Sequence, residues 1–255
     1  MRITDVPVLE ADSSDCAAVL GEVRRWYEAG HGHAPPTETS HHGGNIRMYI
    51  FSRTATIKPE HLDEGIAFAV EIAAHVTTVT GKAVNVFNLT FGAPMGTVMW
   101  SSRHESQAEA ADISAKLLVD PGYMASVKAH VHLLVSSPTD ALVNVVSSTL
   151  EAQPRSIYEI TRSTIANGKF AKAMAFGVKA QEFVAKATGL PTAFTSSVYG
   201  AYGEVGWLVG GSSMADIDRL REVESGDPAF LALLEEAGDL FVEGSGTNSL
   251  IEKLN

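Results

Sequence analysis

Two histidines spaced two apart, His130 and His132, are the residues here whose types and spacing most directly suggest chemistry. In a β-strand, residues i and i+2 share a face. The stretch His130 to Val135 alternates in that way, with Val131, Leu133 and Val135 on one face and His130, His132 and Leu134 on the other. The spacing predicts a strand whose apolar face packs on helices and whose histidines point to the opposite side. A matching stretch further on sets Gly238, Leu240 and Val242 against Ala237, Asp239 and Phe241, which would bring Asp239 and Glu243 near the histidines. Two histidines with one carboxylate is the ligand set of many non-heme iron sites. The same pair could work without metal, as acid and base near neutral pH or as hydrogen-bonding groups in a polar pocket.

Arg162 and Tyr158, two strand positions in the second half of the chain, are further catalytic candidates. A guanidinium could hold an anionic or enolate oxygen; an ion pair between strands is the plainer reading. Asn88, Trp100, Trp207 and Asp239 are expected substrate-binding residues, although the tryptophans also suit core packing. His31, His33, His41 and His42 lie in a Gly/Pro-rich stretch that reads as a loop. They could ligate metal or simply be solvated. Cys16 sits in a helix expected from about Ser13 to Glu28 and has no evident catalytic partner, and His75 reads as a core position.

The elements that carry these residues occur twice. Thr56-Ile57 aligns with Thr164-Ile165, a shift of 108 positions, and Ala67-Phe68 then falls on Ala175-Phe176 and Thr80-Gly81 on Thr188-Gly189. One residue is lost in a turn where Phe91 to Gly96 becomes Tyr199 to Gly203. Beyond it Trp100 falls on Trp207 and Asp120-Pro121 on Asp227-Pro228, at a shift of 107. Self-similarity at a fixed spacing over about a hundred residues points to an internal duplication.

Each copy reads strand, helix, strand, strand, helix, strand. Residues 47–55 are rich in β-formers, and Pro59 suits a helix start. Leu62, Ile66, Ala69, Ala73 and Val76 make an apolar stripe ended by Gly81. Strands at 83–91 and 97–101, a helix at 105–118 and a short turn at Asp120-Pro121 precede the expected strand at 130–135. The chain therefore divides into residues 1–45, an N-terminal helix and His/Gly/Pro loop, and two repeats at 46–150 and 151–255.

That order is the split βαβ of a ferredoxin-like unit. The duplicated layout resembles the dimeric α/β-barrel superfamily in a tandem, fused form, and is similar to antibiotic-biosynthesis-monooxygenase and NIPSNAP-like proteins. The resemblance rests on element order and duplication over roughly residues 47–250. It implies an α+β fold in which two units form one pseudo-twofold barrel with a pocket between them. It also implies a monooxygenase-like oxidoreductase acting on an apolar or aromatic metabolite of secondary metabolism. Such sites are often cofactor-free, and no cofactor is the expectation here. A transition metal on His130 and His132 is the alternative, as is a non-catalytic small-molecule-binding protein. Heme is not expected: the heme-bearing members take their proximal histidine from the C-terminal unit, and this chain has no histidine after His132.

Composition sets the outer bounds. Net charge of −11 and a pI near 5.2 argue against nucleic acid or an anionic membrane as partner. A single cysteine rules out an internal disulfide and fits a reducing, cytoplasmic setting. No signal peptide or apolar span is evident. The expected partner is a small-molecule substrate, and a homo-oligomer is compatible with the sequence.

Overall fold

The computed structural model describes residues 48–255. The helix expected at about Ser13 to Glu28, Cys16 and the histidines His31, His33, His41 and His42 lie outside the described residues. Ile46–Asn255 forms one compact unit, an α+β fold of eight antiparallel strands and six α-helices among the described residues. In chain order these are β1 (Met48–Thr56), α1 (Leu62–Thr80), β2 (Asn85–Phe91), β3 (Thr97–His104), α2 (Gln107–Val119), α3 (Pro121–His130) and β4 (Thr139–Ser148). The second half follows with β5 (Ile157–Thr164), α4 (Phe170–Thr188), β6 (Thr192–Tyr199), β7 (Glu204–Gly211), α5 (Met214–Gly226), α6 (Pro228–Ala237) and β8 (Thr247–Lys253).

The strands close into a barrel in the order β1-β3-β2-β8-β5-β7-β6-β4. Each run of four strands keeps the same internal arrangement, fourth-first-third-second. The runs join through β2 with β8 and β4 with β6. Closure leaves none of the eight strands with an open edge.

Strand alternation sorts side chains between two environments. Ala55, Val86, Val98 and Trp100 turn outward to pack with Phe68, Ala69 and Ile72 of α1. Val205, Val209 and Phe194 do the same with Phe176 and Ala180 of α4. The inward positions Phe87, Met99, Tyr158, Ile160 and Ile251 meet inside the barrel. Burying each large apolar side chain is worth about 1.5–3 kcal/mol, so both layers hold the barrel shut.

Local signals set the helix ends. Gly81 and Gly189 close α1 and α4 in the left-handed conformation, at φ 73° and 71°, as only a residue without Cβ does at no cost. Asp120 caps α3 by accepting from the Tyr123 backbone N–H at 2.7 Å, and Asp227 caps α6 by accepting from Ala229 at 2.8 Å. Each is followed by proline in the first turn.

Those caps overturn the strand expected at 130–135. The helix opened by Asp120-Pro121 runs ten residues to His130, and Val131–Leu133 continues as a 3-10 turn. Tyr123, Met124 and Val127 all pack inward from it, at helical spacing. Leu133, fully buried, seals the base of the first core. The alternation seen in the sequence reflects a single antiparallel bridge between Ile57 and Leu134, matched by Ile165 with Phe241. The fourth strand of each half comes later, at Thr139–Ser148 and Thr247–Lys253. Among the described residues no helix is long and apolar enough to cross a membrane.

Candidate functional site

With the last strands relocated, the histidines leave the barrel interior. His130 ends α3 on the outside, its ring stacked on Phe68 at 4.4 Å and its Nδ1 2.8 Å from the Ser126 carbonyl oxygen. His132 is exposed, with Nδ1 2.9 Å from the Ala129 carbonyl and its ring against His61. Asp239 is also exposed and accepts from Lys169 Nζ at 2.6 Å. Among the described residues no three His, Cys, Asp or Glu side chains converge as a metal site. His75 is not a core residue: it is about one-third exposed and meets Asp120 Oδ1 at 2.8 Å.

The other expected residues divide between the two faces of the sheet. Trp100 donates its indole N–H to the Ala69 carbonyl at 2.8 Å, and Trp207 to the Gly177 carbonyl at 3.0 Å. These contacts pin each long helix to its sheet, as the core-packing reading anticipates, yet Trp207 also lines a cavity. Asn88 faces the helix side and donates to Thr90 Oγ1 at 3.3 Å, touching neither cavity. Tyr158 and Arg162 point into the barrel lumen, a cavity of about 120 Å³. The Tyr158 hydroxyl accepts from the Arg155 backbone N–H at 2.9 Å.

A larger cavity, about 240 Å³, lies between the second half of the sheet and α4, α5 and α6. Phe176, Trp207 and Phe230 give it aromatic walls, and Gln181 and Thr192 a polar corner. Gln181, 2% exposed, donates to Thr192 Oγ1 at 2.5 Å and accepts from Ser147 Oγ at 2.7 Å.

Glu159 enters this cavity from β5 and is only 3% exposed. Arg221 Nη2 on α5 lies 2.9 Å from its Oε1, yet among the described residues no donor is aligned to hydrogen-bond that oxygen. Arg221 instead gives Nη1 to Glu224 Oε2 at 2.6 Å, one turn along the same helix. Burial, then the nearby Glu224 charge, pushes the Glu159 carboxyl up to about 7 against the pull of Arg221. Burial raises Glu224 as well. Two carboxylates sharing one guanidinium leave the deeper one ready to exchange a proton near neutral pH.

The fold does not require this polarity. At the offset of 108, Glu159, Gln181 and Thr192 fall on Phe51, Ala73 and Val84. At the offset of 107, Arg221 and Glu224 fall on Ser114 and Leu117. Polar residues standing where the other half has something smaller or apolar were the available signal in the sequence. It marked Arg162 and Tyr158, and applied along the whole of β5 and α5 it would also have marked Glu159 and Arg221.

Among the described residues the cavity's lining contains no histidine, cysteine, methionine or tyrosine. A heme placed there would have none of the usual axial ligands from the described residues, so the lining they form does not fit that group.

No family model and no curated protein matches the sequence. Solved structures do match in fold. A candidate monooxygenase from Fusobacterium nucleatum subsp. nucleatum superposes with a TM-score of 0.64 at 8% identity, over 83% of this chain and 94% of that one. An anthrone oxidase-like protein gives 0.59 at 13% identity, over 83% and 92%. A candidate chlorite dismutase gives 0.54 at 9%, over 82% and 96%. The likeness is one of fold.

Proposed function

We propose that the chain is a cofactor-free oxidative enzyme, monooxygenase-like, acting on an apolar aromatic metabolite in the cavity between the second half-sheet and its helices. The carrying observation is Glu159, a buried carboxylate beside Arg221 with one oxygen that accepts no hydrogen bond among the described residues, set between aromatic walls. The fold likeness to proteins described as a monooxygenase and an anthrone oxidase-like protein supports the oxidative class. The offset of 108 is read as an internal duplication in which one half has kept an apolar core while the other has acquired the site.

In this reading Glu159 removes a proton from a methylene carbon activated by flanking rings and a carbonyl. Arg221 and the Gln181 corner hold the substrate oxygen that takes up the negative charge. The carbanion donates electrons to dioxygen and forms a C–O bond. The resulting peroxide anion takes the proton back from Glu159, and the hydroperoxide so formed loses water. The methylene becomes a carbonyl, one oxygen atom entering the product and the other leaving as water, with no external reductant.

Anthrone is the probe. Oxygen uptake and anthraquinone formation by the purified chain should exceed the buffer rate. Glu159→Gln should lower the enzymatic rate by about 10²–10⁴ while circular dichroism stays native. An unaccelerated anthrone oxidation, or a fully active Gln variant, would reject this reading.

A further inference from the structure

The barrel lumen is a separate chamber on the other side of β5 from Glu159. Arg162 is the one arginine among the described residues that makes no hydrogen bond there. Arg53, Arg103, Arg155, Arg219 and Arg221 are all engaged, for instance Arg103 Nη1 with the Glu151 carbonyl at 2.6 Å. The nearest carboxylate to Arg162 is Glu204, at 3.8 Å from Nε to Oε1, too far for a hydrogen bond.

Three serine hydroxyls that line the same chamber, Ser52, Ser101 and Ser197, also make no hydrogen bond among the described residues. Ser52 and Ser101 are direct cross-strand partners, which sets their side chains on one face about 5 Å apart. Their counterparts in the other half are Ile160 and Leu208, and that of Ser197 is Leu89. The lumen is therefore mixed in character. In the strand order Arg162 on β5 stands across the barrel from Ser52 on β1, with Ser101 and Ser197 on strands to either side of β1, while Phe87, Met99, Ile160 and Ile251 line the stretch from β3 through β2 and β8 to β5.

We propose that the lumen is a second binding site, for a small amphiphilic carboxylate, with the carboxylate on Arg162 and the serine hydroxyls and a short apolar tail against Phe87, Met99, Ile160 and Ile251. Donors without acceptors select an acceptor-rich head, and the bidentate fork of an arginine matches a carboxylate. The chamber, about 120 Å³, is somewhat smaller than the ~150 Å³ apolar cavity known to hold benzene, so a tail of about five carbons fits. Glu204 opposes the ligand's charge, and its side chain, about one-third exposed, turns toward solvent when the site fills.

Isothermal titration of the full chain with hexanoate, and in parallel with 1-hexanol and hexylamine, tests this. Hexanoate should bind one per chain, and the alcohol and the amine at least about tenfold more weakly. Arg162→Met should weaken hexanoate by about tenfold or more, Glu204→Gln should tighten it severalfold, and Glu159→Gln should leave it unchanged. The proposal is overturned if hexanoate does not bind, if hexanol binds equally well, or if Glu159→Gln abolishes binding, which would move the ligand to the helix-side cavity. Should Arg162→Met fail to fold, the Glu204→Gln response and the hexanol comparison decide alone.

Discussion

Glu159 couples the proposed chemistry to stability at the scale of one residue. Its carboxyl is held up to about 7 in the fold, against an ordinary 4.5, so the folded chain binds that proton more tightly than the unfolded chain does. The contribution to stability is complete below about pH 4.5 and is lost as pH rises through about 7, at a cost on the order of 1–3 kcal/mol. Glu159→Gln should therefore leave the urea midpoint little changed at pH 4.5 and raise it at pH 8, by the equivalent of about 1 kcal/mol in unfolding free energy once the loss of attraction to Arg221 is counted. A midpoint that follows wild type across that whole range would contradict the burial argument. Single residues were only partly legible in the sequence. Tyr158 and Arg162 were singled out as catalytic candidates because they differ from the residues at the matching offset, and both line the lumen. His130 and His132 were placed on a strand because local alternation looks the same whether it belongs to a strand or to a helix end with one bridging residue. Asp239 inherited that error through the alignment.

Elements were easier to read than residues. The long helices, their glycine stops and the central hairpins follow from periodicity and turn chemistry, and they appear within a few positions of where the sequence sets them. The fourth strands were misplaced because Asp120-Pro121 and Asp227-Pro228 looked like a single turn, when each opens a ten-residue helix. What spacing could not show is how closely α1 and α4 lie on the sheet. A Cβ on Gly177 would come within 2.1 Å of the Phe194 ring, and one on Gly65 would lie 2.4 Å from Ile57. Phe194 is fully buried and has nowhere to move. Gly177→Ala should cost about 1–3 kcal/mol by overpacking, despite alanine's better helix propensity, and should also disturb the Trp207 bond to the Gly177 carbonyl. Thermal unfolding with tryptophan fluorescence would show both effects, and an unchanged melting temperature would mean that the helix can lift without loss.

Closure of the barrel makes the two halves depend on each other at the scale of the whole molecule. A fragment of residues 46–150 would expose the edges of β2 and β4 together with the inward face of Phe87 and Met99. Bare apolar edges pair with whatever strand is available, so this fragment should self-associate and not remain a folded monomer. Light scattering on the purified piece decides the matter: a stable monomer with native helix content would show that closure is dispensable. The repeated element order made a barrel legible before any coordinates. The contents of the two cavities were not, because they depend on which face of one strand each polar residue occupies. On β5, Tyr158, Ile160 and Arg162 look into the lumen while Glu159 and Thr161 look out beneath the helices. A single inserted or deleted residue there would exchange the contents of the two chambers, sending a carboxylate into the lumen and an arginine under α5. Length, more than the identity of any one side chain, is thus what heredity must guard along this strand, while substitutions at either surface can retune one chamber and leave its neighbour as it was.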